Sequence, residues 1–276
     1  MSRLTVVVDN LASQGDLTPE HGLAIWVEHQ GREYLLDTGA GAALLPNLAA
    51  LHLDPARLTG VILSHGHFDH GGGLAALMEA RDHAPLGLWC HRGVFDRHLL
   101  QSGEELLPIG LPAGDEAAHR ALGLEFHWVE GRGSLAEGLT VLAPIPRLTD
   151  FEGPAPLLMT QRSDGEVLPD PFHDDLALVV EGQKLTAVVS GCAHAGMVNV
   201  ILAAQDALGR PPDLFVGGTH LGPAPQDQVD ATLAWLSGQP GIRVVAGHCT
   251  GERAGDLARV LEDGFRQLAG GLTLEL

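Results

Sequence analysis

The chain has 276 residues, 45% of them hydrophobic, which is enough for one large domain or two small ones, and no apolar run approaches the about 20 residues of a membrane span. The 35 acidic and 16 basic residues give a formal net charge of −19, which repels phosphate backbones and argues against a nucleic-acid partner. Three cysteines form no disulfide framework and the N-terminal segment lacks the apolar core of a signal peptide, so we expect a cytoplasmic protein that does not bind membranes.

Short runs rich in Val, Ile and Leu predict buried strands, and stretches with helical spacing lie between them. Between the two halves of the chain, residues 101–172 are rich in Gly and Pro and predict strands with long excursions, the usual place for substrate-binding loops. We therefore expect a single α/β domain over residues 1–276, with an elaborated substrate-loop region at about 101–172. In chain order, the predicted strands are 4–10, 23–29, 33–39, 60–66, 175–181, 185–191, 213–218 and 243–248, and the predicted helices are 42–53, 73–83, 196–209, 226–238 and 254–270.

The segment VILSHGHFDHGGGL at 61–74 places four metal-binding side chains behind a run of pure hydrocarbon. These are His65, His67, Asp69 and His70, and Gly66 lets the backbone turn so that their donor atoms converge. Imidazole and carboxylate together suit Zn²⁺, Fe or Mn²⁺. A single ion cannot easily be bound by all four donors of so short a segment. The spacing therefore favours two ions, each bound by two of the four donors. The spacing predicts a metal site rather than a surface cluster of histidines.

This motif resembles the signature of the metallo-β-lactamase superfamily, and further segments extend the resemblance along nearly the whole chain. Together they resemble the branch of 7,8-dihydropterin-6-methyl-4-(β-D-ribofuranosyl)-aminobenzene-5′-phosphate synthase-like proteins. The resemblance implies a four-layer αββα sandwich with the metal ions at one edge, where strands of both halves end. The segments are EHGLAIWVE (20–28), LLDTGAG (35–41), SHGHFDHGGGL (64–74), DDLALVV (174–180), SGCAHAGMVN (190–199), GGTHLG (217–222) and GHCTG (247–251).

The family pattern also assigns ligands. By resemblance, His65 and His67 bind the first ion, Asp69 and His70 belong to the second, and three further ligands are expected downstream. His248, at the end of the strand RVVAG, fits the last of these.

The chain departs from the family pattern at the other two positions. Many relatives carry an aspartate where this chain has Cys192, so we expect His194, two residues further on, to be a ligand. Cys192 is either a thiolate ligand, which would favour zinc, or a small buried residue beneath the site. Asp175 is either a carboxylate ligand or the cap of a turn, with His173 as a weaker competitor. Whether Cys192, Asp175 or neither bridges the ions stays open, and two divalent cations, zinc first and manganese or iron as alternatives, are the expected cofactors.

Five more residues are candidates for supporting or substrate-contacting roles, each with a structural hydrogen-bonding role as the alternative. Asp37 is expected to accept an N–H bond from a ligand histidine. Glu20 and His21 lie in a loop that the family brings near the metals, and Arg147 is the candidate for an anionic substrate group. His220 ends a strand toward the same edge and is a candidate proton donor. Seven histidines without converging context are expected to be surface or structural: His29, His52, His83, His91, His98, His119 and His127.

These features favour a metal-dependent hydrolase in which two ions share a hydroxide that attacks a small ester, a phosphoester or a phosphorylated heterocyclic metabolite. Asp69 and His220 are the candidate catalytic residues. The alternatives are a di-iron redox protein and a non-catalytic metabolite-binding sensor on the same fold. The expected partner is a small molecule, and the assembly state stays open, a dimer included.

Overall fold

The computed structural model describes residues 1–112, 114–162 and 164–276. Positions 113 and 163, inside the expected substrate-loop region, lie outside the described residues. The strands are β1 Ser2–Val8, β2 Ala24–His29, β3 Arg32–Leu36, β4 Gly60–Ile62, β5 Leu86–Cys90, β6 Arg97–Ser102, β7 Glu105–Pro108, β8 Leu124–Trp128, β9 Gly131–Ala136, β10 Leu139–Ala143, β11 Leu158–Gln161, β12 Val167–Pro169, β13 Ala177–Glu181, β14 Thr186–Ser190, β15 Leu214–Gly218, β16 Arg243–Gly247, β17 Phe265–Gln267 and β18 Thr273–Glu275. The α-helices are α1 Leu44–Ala50, α2 Phe68–Gly71, α3 Leu74–Ala80, α4 Glu116–Ala121, α5 Met197–Leu208, α6 Gln226–Ser237 and α7 Ala254–Leu261, with short 3₁₀ turns at Pro55–Arg57, Arg92–Phe95, His248–Arg253 and Glu262–Gly264.

The described strands form two large sheets and one small sheet. The first large sheet has the order β18-β1-β2-β3-β4-β5-β8 and the second has the order β17-β16-β15-β14-β13-β10-β9. Strands β3, β4, β5 and β8 run parallel in the first sheet, and β14 to β17 run parallel in the second. The small sheet, β12-β11-β6-β7, is antiparallel and is built largely from the region expected to carry substrate loops.

Three buried apolar clusters separate four layers, and the αββα sandwich is confirmed. One cluster fills the space between the two large sheets and includes Leu36 and Val189. A second lies between the second sheet and helices α5 to α7, and includes Val200. The third lies between the first sheet and helices α1 and α3, and includes Leu35 and Leu77. Leu35 and Leu36 point to opposite faces of β3 and both are fully buried, because helices cover the outer face of the sheet.

The sequence prediction of a helix at 254–270 is wrong in its second half. Helix α7 ends at Leu261, where Glu262 adopts a positive φ of 48°. Phe265–Gln267 then adds a parallel strand to β16. Edge pairing with β16 therefore prevails over the helical spacing of the apolar residues in this segment. None of the described helices combines the length and hydropathy needed to cross a membrane.

Candidate metal centre

The predicted ligands meet at one edge of the sandwich, where parallel strands of both large sheets end. His65 and His67 follow β4, and the short helix α2 carries Asp69 and His70. His194 lies between β14 and α5, and His248 directly follows β16. This placement follows the rule that sites in α/β sheets lie beyond the carboxyl ends of strands.

The backbone of the motif is packed tightly enough to require glycine. A Cβ at Gly66 would collide with the backbone of Val94, and one at Gly72 would collide with the carbonyl oxygen of Ala40. The glycines therefore allow the motif to lie directly against its neighbouring loops.

One set of donors consists of His65, His67 and His194, whose donor atoms all lie within 4.8 Å of one another. The Nε2 atoms of His65 and His194 are 3.2 Å apart. Burial, reinforced by neighbouring imidazoles, holds the pKa of His65 and His194 well below the usual range and lowers the pKa of His67 to about 3. Neutral imidazoles whose lone pairs converge in a buried position fit a divalent cation.

The second set is formed by Asp69, His70 and His248. The Nε2 atom of His248 lies 3.2 Å from Nε2 of His70 and 3.3 Å from Oδ2 of Asp69, while the exposed His21 places its Nε2 3.2 Å from the same Oδ2. Cys192 Sγ lies 3.2 Å from Nε2 of His70 and forms a group with His65 and His70, so it stands where the two sets meet.

The charges in this second set are strongly coupled. Burial alone would raise the pKa of Asp69, but the charge of His70 and hydrogen bonds from His21 and His248 hold this pKa well below its usual range. Burial would lower the pKa of His70, but Asp37 and Asp69 raise it to about 9. The negative charges of Asp37 and Asp69 favour the proton on His70, and they would equally favour a metal cation bound in place of that proton.

Asp37 orients two of the histidines. Its Oδ2 accepts a hydrogen bond from Nδ1 of His70 at 2.7 Å and another from Oγ of Ser64 at 2.7 Å. Because the Ser64 hydroxyl donates to Asp37, we infer that it accepts from Nδ1 of His65, 2.9 Å away. Both histidines therefore direct an Nε2 lone pair toward the centre.

Two supporting residues escaped the sequence prediction. Asn10 Oδ1 lies 2.9 Å from Nδ1 of His248 and holds that ring in place, as Asp37 holds His70. The only sequence feature that pointed to Asn10 is its position just after the apolar run of β1. His98, expected to be a surface or structural residue, is buried, with its Nδ1 2.6 Å from Oδ2 of Asp170 and its Nε2 3.4 Å from Oδ2 of Asp174. Asp174 also accepts the backbone N–H of Gly66 at 2.7 Å, so this ion-paired group braces the turn between His65 and His67. Nothing in the local sequence signals these long-range pairs.

The hydrogen bonds of Glu20 favour the structural role that was the alternative to a substrate contact. Its carboxylate accepts four backbone N–H bonds, from Ala40, Gly41, Ala42 and Ala43, at 2.8–3.1 Å. These bonds tie the loop between β1 and β2, which carries Glu20, to the segment between β3 and α1.

Arg147 and Asp175 are likewise placed outside the donor cluster. The Arg147 guanidinium donates to the carbonyl oxygens of Glu152, Ala195 and His194 at 3.0–3.2 Å. Asp175 is fully buried and accepts the N–H of Ala195 at 2.7 Å, and it belongs to none of the donor groups among the described residues. Both residues hold the backbone beside His194, which favours the structural alternative for Arg147 and the capping alternative for Asp175.

The floor of a cavity of about 540 Å³ is formed by five of the donor residues, His67, Asp69, Cys192, His194 and His248. His220 lies in its wall, with its ring centroid 4.3 Å from that of His194, and burial lowers its pKa. Cys249 lies beside Cys192 at the same wall. The cavity is lined by His21, His67, Phe68, Asp69, Leu100, Ile109, Ala155, Pro156, Leu157, Leu158, Cys192, His194, His220, Pro223, His248 and Cys249.

The fold and this donor arrangement define a class of protein. The family model of the metallo-beta-lactamase superfamily matches residues 17–248, and the chain belongs to that superfamily. The resemblance noted in the sequence is thereby confirmed.

Individual relatives agree with this assignment. A Methanocaldococcus jannaschii protein named 7,8-dihydropterin-6-methyl-4-(beta-D-ribofuranosyl)-aminobenzene-5′-phosphate synthase is 26% identical over 260 residues, which cover 91% of this chain and 87% of that protein. The crystal structure of Tm1679, described as a metal-dependent hydrolase of the beta-lactamase superfamily, superposes with a TM-score of 0.82 at 27% identity and covers 100% of this chain and 99% of that one. Zn²⁺-bound PqqB from Methylobacterium extorquens shares the fold at a TM-score of 0.59 and 13% identity, with 99% and 100% of the two chains covered.

Proposed function

We propose that the protein is a metal-dependent hydrolase that uses two divalent cations to cleave an ester or phosphoester bond in a small molecule. The observation that carries the proposal is that two sets of donor atoms converge, one from His65, His67 and His194 and the other from Asp69, His70 and His248, and that four of these six residues line a single cavity. The similarity to Tm1679, described as a metal-dependent hydrolase, supports the same class of activity.

One cation would be held by His65, His67 and His194, and the other by Asp69, His70 and His248. Cys192 lies between the two sets, and its thiolate would make zinc the preferred metal; manganese and iron are the alternatives that imidazole and carboxylate also accept. We further propose a cytoplasmic location, because a reducing compartment keeps Cys192 and Cys249 available as free thiols.

When bound, two such cations supply an activated water and polarise the bond under attack. In the hydrolysis that this chemistry would support, a water oxygen would form a bond to the acyl carbon or phosphorus, the bond to the leaving oxygen would break, and the leaving oxygen would receive a proton. Asp69, with its ionised carboxylate at the floor, is the candidate to orient the attacking water. His220 faces the same cavity and is the candidate to deliver the proton to the leaving group.

The test combines elemental analysis of protein purified without added metal with hydrolysis of bis(p-nitrophenyl) phosphate and p-nitrophenyl esters. We expect about two equivalents of zinc or manganese, with loss of both metal and activity in His67→Ala. The matched control is His127→Ala, since His127 is an exposed histidine on strand β8 that stacks on Trp89.

Three results would overturn the proposal. Less than half an equivalent of any metal after reconstitution would reject the metal centre. Tightly held iron without hydrolysis would support a redox protein, and tight product binding without turnover across the panel would support a sensor.

A further inference from the structure

The wall opposite the donors is formed by hydrocarbon. Leu100 on β6 and Leu158 on β11 are directly paired in the small sheet, and both line the cavity together with Ile109 and Leu157. The metal-binding motif is hydrogen-bonded to this sheet region, because the N–H of Phe68 donates to the carbonyl oxygen of Ile109 at 2.9 Å. The apolar wall is therefore fixed in position relative to the donors.

The rim of the cavity is apolar as well. Phe68 is 39% exposed and Leu157 is 56% exposed, and both are large hydrophobic side chains at the cavity surface. Exposed apolar side chains that border a concave site are typical of surfaces that contact an apolar part of a ligand.

The cavity offers no fixed positive charge for a remote anionic group. Among the described lining residues there is no lysine or arginine, and the ionisable ones are the donors at the floor together with His21, His220 and Cys249. Arg147 is engaged by three backbone carbonyl groups. Beyond the reach of the cations, a phosphate or carboxylate on the substrate would be desolvated against hydrocarbon without a partner, which is costly.

We propose that the substrate is an ester whose non-reacting group is uncharged and apolar, aliphatic or aromatic, and lies against the wall formed by Leu100, Ile109, Leu157 and Leu158. This inference rests on the proposed function for the reacting bond, and it narrows the substrate class by excluding molecules that carry a remote phosphate. A volume of about 540 Å³ accommodates such a group together with the ester.

The test uses zinc-loaded protein and three p-nitrophenyl esters: the acetate, the hexanoate and the hydrogen adipate. The hexanoate and adipate have chains of equal length, and only the adipate ends in a carboxylate. Each buried methylene is worth about fourfold in kcat/KM. Hexanoate has four more methylenes than acetate, so burial of two of them should raise kcat/KM by more than about tenfold. We expect the adipate to be at least about tenfold poorer than the hexanoate, because its remote charge lacks a partner.

Leu157→Gln is expected to reduce the preference for hexanoate over acetate by about fivefold, since a polar amide then faces the chain. Leu148→Gln is the matched control, because Leu148 is 57% exposed and does not line this cavity. Calorimetric titration with sodium hexanoate and sodium acetate gives a readout that needs no turnover: hexanoate should bind more tightly in wild type and in Leu148→Gln, with the difference reduced in Leu157→Gln.

The outcomes separate this inference from the proposed function. Metal-dependent hydrolysis with equal rates for acetate and hexanoate, or with a preference for the adipate, would overturn the apolar substrate and leave the hydrolase intact. Tighter binding of hexanoate without any metal-dependent hydrolysis would support the apolar site and reject the hydrolase. Equal binding of both carboxylates would overturn the inference whatever the activity.

Discussion

Replacing Glu20 with alanine tests whether this residue supports the fold or contacts the substrate. The change removes the acceptor of four backbone N–H groups, at Ala40 to Ala43. Each hydrogen bond to a charged group contributes about 1.5–3 kcal/mol, but water can replace the acceptor where the backbone is accessible. Ala42 is exposed, Ala40 and Gly41 are half-buried, and Ala43 is fully buried. We therefore expect a net loss of about 3 kcal/mol, equivalent to a fall in Tm of about 6–10 °C for a chain of this size.

The assay is thermal unfolding of the zinc-loaded protein together with KM for a p-nitrophenyl ester. Glu20→Ala should lower Tm and leave KM unchanged, and Glu20→Gln should be intermediate because its amide keeps one acceptor oxygen. His21→Ala is the matched control. The His21 side chain, adjacent to Glu20 in the chain, is exposed and lines the cavity, so its removal should alter KM with little change in Tm. An unchanged Tm with a raised KM in Glu20→Ala would refute the structural role and restore the substrate contact expected from the sequence.

Asp37→Asn should weaken zinc binding by about 10–100-fold, because Oδ1 accepts the N–H of Ser64 while Oδ2 accepts from Ser64 Oγ and from His70, and the amide keeps only one acceptor oxygen; competition with a chromophoric chelator measures this, and an unchanged Kd would contradict it. Arg147→Met should lower the free energy of unfolding in urea by about 2 kcal/mol without changing KM for a phosphate ester, whereas a raised KM with unchanged stability would return Arg147 to the substrate site. Chelation of the metal should lower the free energy of unfolding by about 2.7 kcal/mol relative to protein in zinc at 100 times Kd, as scanning calorimetry would show, and equal Tm values would count against the metal centre. For His98, burial opposes protonation, but Asp174 and Asp170 raise the pKa to about 10 from the ordinary 6.5. The folded state thus binds the proton more tightly, so this stabilisation is complete below pH 6.5 and is lost as the pH rises to 10; a wild-type pH profile parallel to that of His98→Phe would refute it.

The meeting of the motif's four candidate donors could be predicted from the sequence because they lie within six residues. His65 and His67 follow β4, and Asp69 and His70 lie in the short helix α2, so their convergence depends little on the rest of the fold. His248 was also accessible, because it ends an apolar run and the ends of parallel strands meet at one edge.

Asp37 was expected to support a ligand histidine, but the other residues that support the candidate ligands could not be predicted from the sequence. Asn10 reaches His248 across 238 positions, and Asp174 reaches Gly66 across 108, so only the folded arrangement of the sheets brings them together. Two residues of the candidate site have backbone conformations that the sequence does not predict. Asp37 and His248 adopt positive φ values of 60° and 50°. Non-glycine residues in this region are strained and persist where the surroundings hold them, which here are the hydrogen bonds of the site.

The loop that carries His194 shows why the sequence alone does not separate the polar residues that can bind a metal from those that hold the backbone. Only the folded structure distinguishes the two roles. Ala193 has a φ of 53° and Gly196 has a φ of 109°, so the loop departs from regular structure on both sides of the ligand. Beneath it, Asp175 accepts from the N–H of Ala195 while Arg147 donates to the carbonyl oxygens of His194 and Ala195. Burying such polar side chains is costly unless they are hydrogen-bonded, and burial raises the pKa of Asp175 to about 7. Their partners here are backbone groups of the irregular loop. In the sequence, the carboxylate of Asp175 suggests a metal ligand and the guanidinium of Arg147 suggests an anion-binding group. In the structure, both groups instead form hydrogen bonds to the backbone beside His194, and these bonds fix the position of the His194 imidazole.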